Sequence, residues 1–308
     1  MALSGETPPR PRAERRRAAA PAPPARVPHP LPYQGSKRRL AAAILAEAGP
    51  GPYAALYEPF CGSAALTLAA AARGLAPRFV LGDSLEPLVA LWRAILESPA
   101  RVASAYGALW RAQHGDPAHY ERVRERFNRA RDPAALLYLL ARCAKAAVRF
   151  NRGGDFNQAP DRRRHGMRPE RLAAEVAGAA RLLAGRARLA CADYEATIAA
   201  AGPADLVYLD PPFQGTSEGR DRRYAAGLER ARLVASLAGL NARGVPFLLS
   251  YDGRSGARAY GEPLPRSLGL RLVRLDAGVS SQATLLGRRE RTLESLYLSP
   301  ALLARRRR

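Results

Sequence analysis

The pentapeptide Leu209-Asp210-Pro211-Pro212-Phe213 follows the apolar run Leu206-Val207-Tyr208. It therefore reads as the carboxyl end of a buried strand, where open α/β sheets place their ligands. Two consecutive prolines have fixed φ and no N–H, and each biases the residue before it toward extended geometry. Beside the ionised carboxylate of Asp210 they leave carbonyls unused by the ladder, that of Pro211 among them, in a corner that offers acceptors only. An amine conjugated into a heteroaromatic ring, as in adenine, is a poor nucleophile because its lone pair is delocalised. A carboxylate and a carbonyl accepting its two hydrogens push that nitrogen toward sp³ and localise the pair for attack. Phe213 adds a flat apolar face on which an extruded base can stack. The competing reading of the same residues is an ordinary strand-to-turn exit.

A second chemical segment is Tyr57-Glu58-Pro59-Phe60-Cys61-Gly62-Ser63-Ala64, another strand running into a small-residue turn ahead of a helix. Gly62 lets backbone approach a cofactor closely. A dinucleotide fingerprint needs G-x-G-x-x-G for a pyrophosphate, whereas this turn has one glycine and the acid Glu58, which suits the ammonium of an amino-acid-bearing cofactor better. Asp83 ends the next strand, at the distance from Gly62 where such folds set an acid against ribose hydroxyls. A helix N-cap is the alternative for Asp83. Upstream, Tyr33-Gln34-Gly35-Ser36-Lys37 forms a tight turn before the first helix, with Lys37 able to reach a carboxylate. The spacing of a phosphate-binding loop is absent. Lys37 is assigned to the methionine end of the cofactor, against the alternative of a solvated turn lysine.

These residues need a mainly parallel sheet to converge, and the chain supplies the pattern of one: short β-rich runs alternating with helical runs. Strands are expected at 54–57, 79–82, 187–191, 206–209, 246–250, 270–275 and 293–298, with helices at 63–73, 195–200 and 228–241. The last two strands lack an intervening helix and should pair as an antiparallel hairpin. Between them and the first βαβ unit, Ala-, Leu- and Arg-rich stretches of helical period run through 88–184, interrupted by a polar, Gly-containing segment at 151–165. The expected domains are thus a catalytic α/β domain at 31–87 and 185–300 and an inserted helical lobe at 88–184. A Pro-, Arg- and Ala-rich tail at 1–30, expected to be disordered, and a basic tail at 301–308 flank them.

Composition narrows the partners. The 308 residues carry 49 Lys and Arg against 27 Asp and Glu, a formal charge of +22, of which the body between the tails keeps +14. A surface so basic attracts polyanions, although an Arg-rich composition bias is a competing cause. Cys61, Cys143 and Cys191 stand far apart with no metal-ligand spacing, so no metal and no disulfide framework is expected, and a reducing cytoplasm fits. No apolar run has the length of a membrane span or a secretory signal.

Taken in order, the Y-x-G-x-K opening, the E-P-F-x-G turn, the acid after the second strand, the inserted region and D-P-P-F resemble the Dam-type (α-group) DNA adenine-N6 methyltransferases, over residues 32–298. The resemblance implies a Rossmann-like methyltransferase fold with an inserted target-recognition lobe. It implies S-adenosylmethionine as methyl donor, held by Tyr33, Lys37, Asp83 and Asp210, with Glu58, Phe60 and Gly62 shaping the pocket and Asp193 and Tyr194 beside the cofactor's adenine. Asp210, Pro211, Pro212 and Phe213 would hold and stack the target base, Phe213 standing where tyrosine is commoner. The segment from Arg149 to Pro160 resembles the family's R-Y/F-N-x-x-G-x-F-N motif. Eight Lys or Arg against two acids between Arg142 and Arg168, interleaved with Phe150, Phe156 and amides, suit phosphate contact and base-edge readout. Arg149, Asn151, Arg152, Asn157, Gln158, Arg162, Arg163 and Arg164 are the candidates for DNA contact, a merely solvated loop being the alternative. Where the family's Dam member continues P-F-G, this chain has Ala159-Pro160-Asp161 and three arginines, so Dam's target sequence does not transfer. The implied partner is duplex DNA bound by a monomer, with a cognate restriction endonuclease where such enzymes serve restriction–modification. Transfer to cytosine N4, RNA or a glutamine amide, and an inactive DNA-binding regulator, stay open on the residues alone.

Overall fold

A computed structural model of the chain describes residues 26–212, 230–255, 258–260, 263–279 and 291–307. Its centre is a sheet of strands β1 Leu56–Glu58, β2 Phe79–Asp83, β3 Ala187–Cys191, β4 Leu206–Leu209, β5 Phe247–Ser255, β6 Arg258–Tyr260, β7 Arg271–Val279 and β8 Arg291–Leu298. The spatial order is β3-β2-β1-β4-β5-β8-β7, with β6 paired to β5. Strands β1 to β5 run parallel, and β8 lies antiparallel between β5 and β7. The expected antiparallel pair at the carboxyl end of the chain is therefore present. Strand order reverses between β1 and β4, which opens the crevice at their carboxyl ends where α/β sheets bind ligands.

The central strands form because their residues are apolar toward both faces: Leu206, Val207, Tyr208 and Leu209 are all buried. Alternate residues feed two cores. On one face Leu56, Leu81, Tyr208 and Leu248 pack with helices α1 (Ala41–Ala48), α2 (Ala65–Ala72) and α3 (Glu86–Glu97). On the other, Tyr57, Val80, Val207 and Leu249 pack with α8 (Tyr194–Ile198) and α9 (Arg230–Ala242).

Between β2 and β3 the chain also forms α4 (Pro99–Ala112), α5 (His119–Ala130), α6 (Pro133–Arg142) and α7 (Pro169–Leu183). Helix α6 starts at Pro133, with Asp132 Oδ1 accepting the N–H of Ala134 at 2.9 Å, a capped start that needs no distant partner. Its Ala-Leu-Leu-Tyr-Leu-Leu run is buried all round. Leu136 and Leu140 of α6, and Leu172 and Val176 of α7, join the same core as Leu66 and Leu81. The helical segment is thus continuous with one face of the sheet, because α3 lies on β2 and β3, α4, α6 and α7 pack against α3, and α5 packs on α6.

Both ends of the described chain depart from the tails read in the sequence. Residues 26–30 are strapped to α7: the N–H of His29 donates to the buried carboxylate of Glu175 at 2.7 Å, and Arg26 pairs with it. The basic carboxyl end forms α10 (Pro300–Arg306), capped by Ser299, whose Oγ accepts the N–H of Leu302. Its buried Leu302 and the Arg306–Glu47 ion pair fasten it to the body, and Arg305 lies 4.5 Å from the ring centroid of Tyr53. Two leucines among the arginines were enough to turn a charged tail into a packed helix. Among the described residues no helix is long and apolar enough to cross a membrane.

Candidate active site

The site is assembled from the carboxyl ends of β3, β2, β1 and β4, which are neighbours in the sheet. After β1 the chain makes a turn whose Cys61 N–H donates to Gly82 O at 2.9 Å, pinning it to β2. Gly62 has φ +47°, and a Cβ there would stand 3.0 Å from Cε1 of Tyr33, so the tyrosine ring lies on the glycine. Asp83 at the end of β2 clamps the turn: its Oδ2 accepts the N–H of Gly62 at 3.2 Å, and its Oδ1 accepts that of Leu85 at 3.0 Å. The indole N–H of Trp92 donates to Gly62 O at 2.9 Å and holds the turn from beneath.

Helix α2 begins without a side-chain cap, because Ala64 occupies its N-cap in the left-handed region. Glu58 replaces the missing cap from a distance: its Oε2 accepts both the N–H and the hydroxyl of Thr67. Burial pushes the Glu58 carboxyl up to about 8, against the Thr67 hydrogen bonds that favour its ionised form. Burial likewise raises Asp83 above the ordinary aspartate range.

The turn at Tyr33 to Lys37 joins three parts of the molecule. Gly35 takes φ +81°. The hydroxyls of Ser36 and Ser63 lie 2.8 Å apart, and the N–H of Gln34 donates to Ala146 O in the helical segment at 3.0 Å. Lys37, far from a solvated turn lysine, is 6% exposed and sends its Nζ to within 2.9 Å of Oδ1 of Asp210. A second carboxylate, Glu294 on β8, stands 3.4 Å from the same Nζ. Burial lowers the affinity of Lys37 for its proton, and Asp210 and Glu294 more than restore it, so the ammonium is held charged. Asp210 is raised by burial and by Glu294, and lowered by Lys37. Pro211 is buried and Pro212 partly so, while Phe213 lies outside the described residues.

At the end of β3, Asp193 caps α8, its Oδ1 accepting the N–H of Glu195 at 3.0 Å. Tyr194 stacks on Phe60 with ring centroids 5.2 Å apart and an interplanar angle of 25°. Arg232 on α9 pairs with both Asp193, at 3.3 Å, and Glu195, at 2.5 Å, and covers the ring of Tyr194. The structure thus gathers Tyr33, Lys37, Glu58, Phe60, Gly62, Asp83, Asp193, Tyr194 and Asp210 along one edge of the sheet.

The DNA-contact candidates fall elsewhere, on the loop between α6 and α7. Residues 149–157 form a hairpin-like loop in which Phe150 pairs with Phe156, and Asn151 Oδ1 accepts the N–H of Asp155 at 2.8 Å. Asn151, Arg152, Asn157, Arg162 and Arg163 are exposed, and Arg149 and Arg164 half-buried. Arg163 pairs with Asp161, and Arg164 Nε donates to Ala141 O at 3.3 Å. Gln158 faces inward: it is 9% exposed and its amide donates to Ala144 O at 3.0 Å, so it fastens the loop. Phe156 is buried too, against Phe127 and Phe150, and serves the loop's own small core.

Glu294 was missed in the reading of the sequence. A signal was there: in Glu294-Ser295-Leu296-Tyr297-Leu298 the acid shares the core-facing register with Leu296 and Leu298, an expensive place for a charge without a partner. Lys145 is another. Only two of the 49 basic residues are lysines, Lys37 and Lys145. Lys145 is exposed in a turn at φ +59°, next to Ala146 at φ +52°, whose carbonyl receives Gln34.

A parallel sheet that reverses at β1 and β4, with a glycine turn at one of those strands and an acid-proline-proline corner at the other, and with an antiparallel strand inserted beside β5, defines the Rossmann-like methyltransferase class. Residues 33–262 match the family described as D12 class N6 adenine-specific DNA methyltransferase. The chain belongs to that family. It is 25% identical over 235 residues to the Retron Ec67 DNA adenine methylase of Escherichia coli, covering 74% of this chain and 79% of that one. It is 27% identical over 204 residues to the DNA adenine methylase of Escherichia coli strain K12, covering 63% of this chain and 70% of that one. The family's acceptor is adenine N6 in DNA, which decides among the acceptors left open by the residues, and its reaction requires a methyl donor.

Proposed function

We propose that the protein transfers a methyl group from S-adenosylmethionine to N6 of an adenine extruded from duplex DNA, acting as a monomer. The observation that carries this reading is the Lys37–Asp210 pair at 2.9 Å, which holds the acceptor corner of β4 against the loop that lies on the Gly62 turn. The residues fit the donor. Tyr33 packs closely over the Gly62 turn, Asp83 stands beside that turn for a ribose hydroxyl, and the Phe60–Tyr194 stack offers an aromatic face for an adenine ring. When bound, S-adenosylmethionine supplies an electrophilic methyl on sulfur, which departs as the neutral thioether.

Lys37 engages Oδ1 of Asp210, and among the described residues no other donor reaches this carboxylate. Oδ2 is thereby left to accept one hydrogen of the adenine amine, with the Pro211 carbonyl for the other and the Phe213 ring for the base face. The N6 lone pair, localised by those acceptors, forms the new N–C bond as the C–S bond breaks, and the nitrogen sheds one proton, for which Asp210 is the adjacent acceptor. Arg149, Asn151, Arg152, Asn157, Arg162, Arg163 and Arg164 bind the duplex by phosphate and base-edge contacts. Gln158 supports them from within, and a cognate endonuclease is the expected companion where the enzyme serves restriction–modification. No metal takes part in this scheme.

The test is transfer of labelled methyl from S-adenosylmethionine to duplex DNA, with N6-methyladenine identified by mass spectrometry after digestion. Asp210→Ala should abolish transfer while retaining DNA binding. Wild-type turnover by that variant, or a product methylated at another atom, would overturn the reading.

A further inference from the structure

Strand β8 runs antiparallel to β5, so its first residues lie at the edge where the parallel strands end. Glu294 pairs in register with Gly253 of β5 and Leu275 of β7. Its side chain is on the register of the buried Leu296 and Leu298, and its only basic partner among the described residues is Lys37, at 3.4 Å. A carboxylate costs several kcal/mol to desolvate, on the order of what a buried ion must recover from partners. Lys37 already has Asp210 at 2.9 Å, so neutralising the lysine does not require a second acid.

We propose that Glu294 is a positioning residue for methyl transfer: by sharing the Lys37 ammonium with Asp210 it leaves the trio net negative and keeps Asp210 an acceptor for the incoming amine. This rests on the function proposed above. A Lys37–Asp210 pair alone is neutral, and the ammonium would draw the aspartate's electron density onto itself. With Glu294 on the other side, the excess negative charge remains beside the nitrogen that becomes positive as the methyl arrives, where a prearranged charge acts without reorganisation. The same charge raises Asp210, as its closeness requires. Removing it must therefore make Asp210 easier to ionise and yet a weaker helper. A residue needed only for folding gives no such pair of effects.

The experiment compares wild type, Glu294→Gln and Glu294→Asp, each checked for native circular dichroism. The expected result for Glu294→Gln is a kcat about 10-fold lower, an S-adenosylmethionine Kd within about 3-fold, and an acid limb of the kcat profile displaced to lower pH. Glu294→Asp should recover part of kcat. In protein labelled with ¹⁵N-lysine without cofactor or DNA, the Lys37 ammonium signal should shift in Glu294→Gln while that of Lys145, the other lysine, stays in place. An unchanged kcat, an acid limb that stays put or moves up, or a loss of kcat matched by loss of cofactor affinity would overturn the proposal. A wild type that binds DNA but methylates no adenine would instead defeat the function on which it rests, and the lysine signals would still report whether Glu294 acts on Lys37.

Discussion

Lys37 Nζ lies 2.9 Å from Asp210 Oδ1, joining a turn ahead of the first helix to the end of β4. Lys37 lowers the proton affinity of Asp210 against a burial effect that raises it. Lys37→Met should therefore move the acid limb of the kcat profile to higher pH, the opposite of Glu294→Gln, and reduce kcat by about 100-fold, as for the loss of one electrostatic group in an active site. Lys37→Arg should not restore it, because a planar guanidinium does not fit a slot shaped for a compact ammonium. Steady-state kinetics from pH 5 to 9 check both.

Gly62→Ala confronts φ +47° and the ring of Tyr33 at 3.0 Å together. The left-handed backbone alone costs an alanine roughly 1–2 kcal/mol. Thermal unfolding should fall by a few degrees, and calorimetry should find cofactor affinity weakened more than stability, since the Tyr33 ring must shift by a few tenths of an ångström over the turn.

Glu58 makes stability depend on pH. Its carboxyl is raised from 4.5 to about 8 in the folded chain, so the folded state holds a proton that the unfolded state has lost. The contribution is fully present below the unfolded value and is lost as pH rises toward 8, with a slope of at most about 1.4 kcal/mol per pH unit from this group. Glu58→Gln can still accept from Thr67 and does not ionise. Melting curves between pH 6 and 9 should be flatter for the variant than for wild type.

Arg152 and Gln158 lie on the same loop and should behave differently. Arg152 is exposed at the loop tip, so Arg152→Ala should weaken DNA binding and reduce the slope of log K against log salt by about 1, with melting unchanged. Gln158→Ala removes the buried amide that donates to Ala144 O, and should lower stability by about 1–2 kcal/mol while leaving the salt slope of the folded protein intact.

Lys145 occupies a strained turn beside Ala146, both at positive φ. Lys145→Gly relieves strain on the order of 1 kcal/mol, so it should melt higher than wild type. If the ammonium serves DNA, filter binding should show weaker affinity despite the gain in stability, and equal affinity would assign the residue to the turn alone.

Much of this molecule could be read from the order of its residues. Asp210 followed by two prolines after an apolar run, a single glycine after Glu58, and an acid closing the next strand each declare their role locally, because strand ends and tight turns are dictated by φ restrictions that travel with the residue type. The parallel sheet and its antiparallel carboxyl-terminal pair followed from the alternation of apolar runs and helices for the same reason. What sequence could not decide was who meets whom. Lys37 becomes a buried ion because β8 slides between β5 and β7 and brings Glu294 to the edge where β4 ends. Gln158 turns inward and Arg305 and Arg306 fold back onto Tyr53 and Glu47, although their neighbours in the chain are polar or charged. Burial and ion pairing depend on residues far away along the chain, so these partnerships come into being only when the sheet has closed around its crevice.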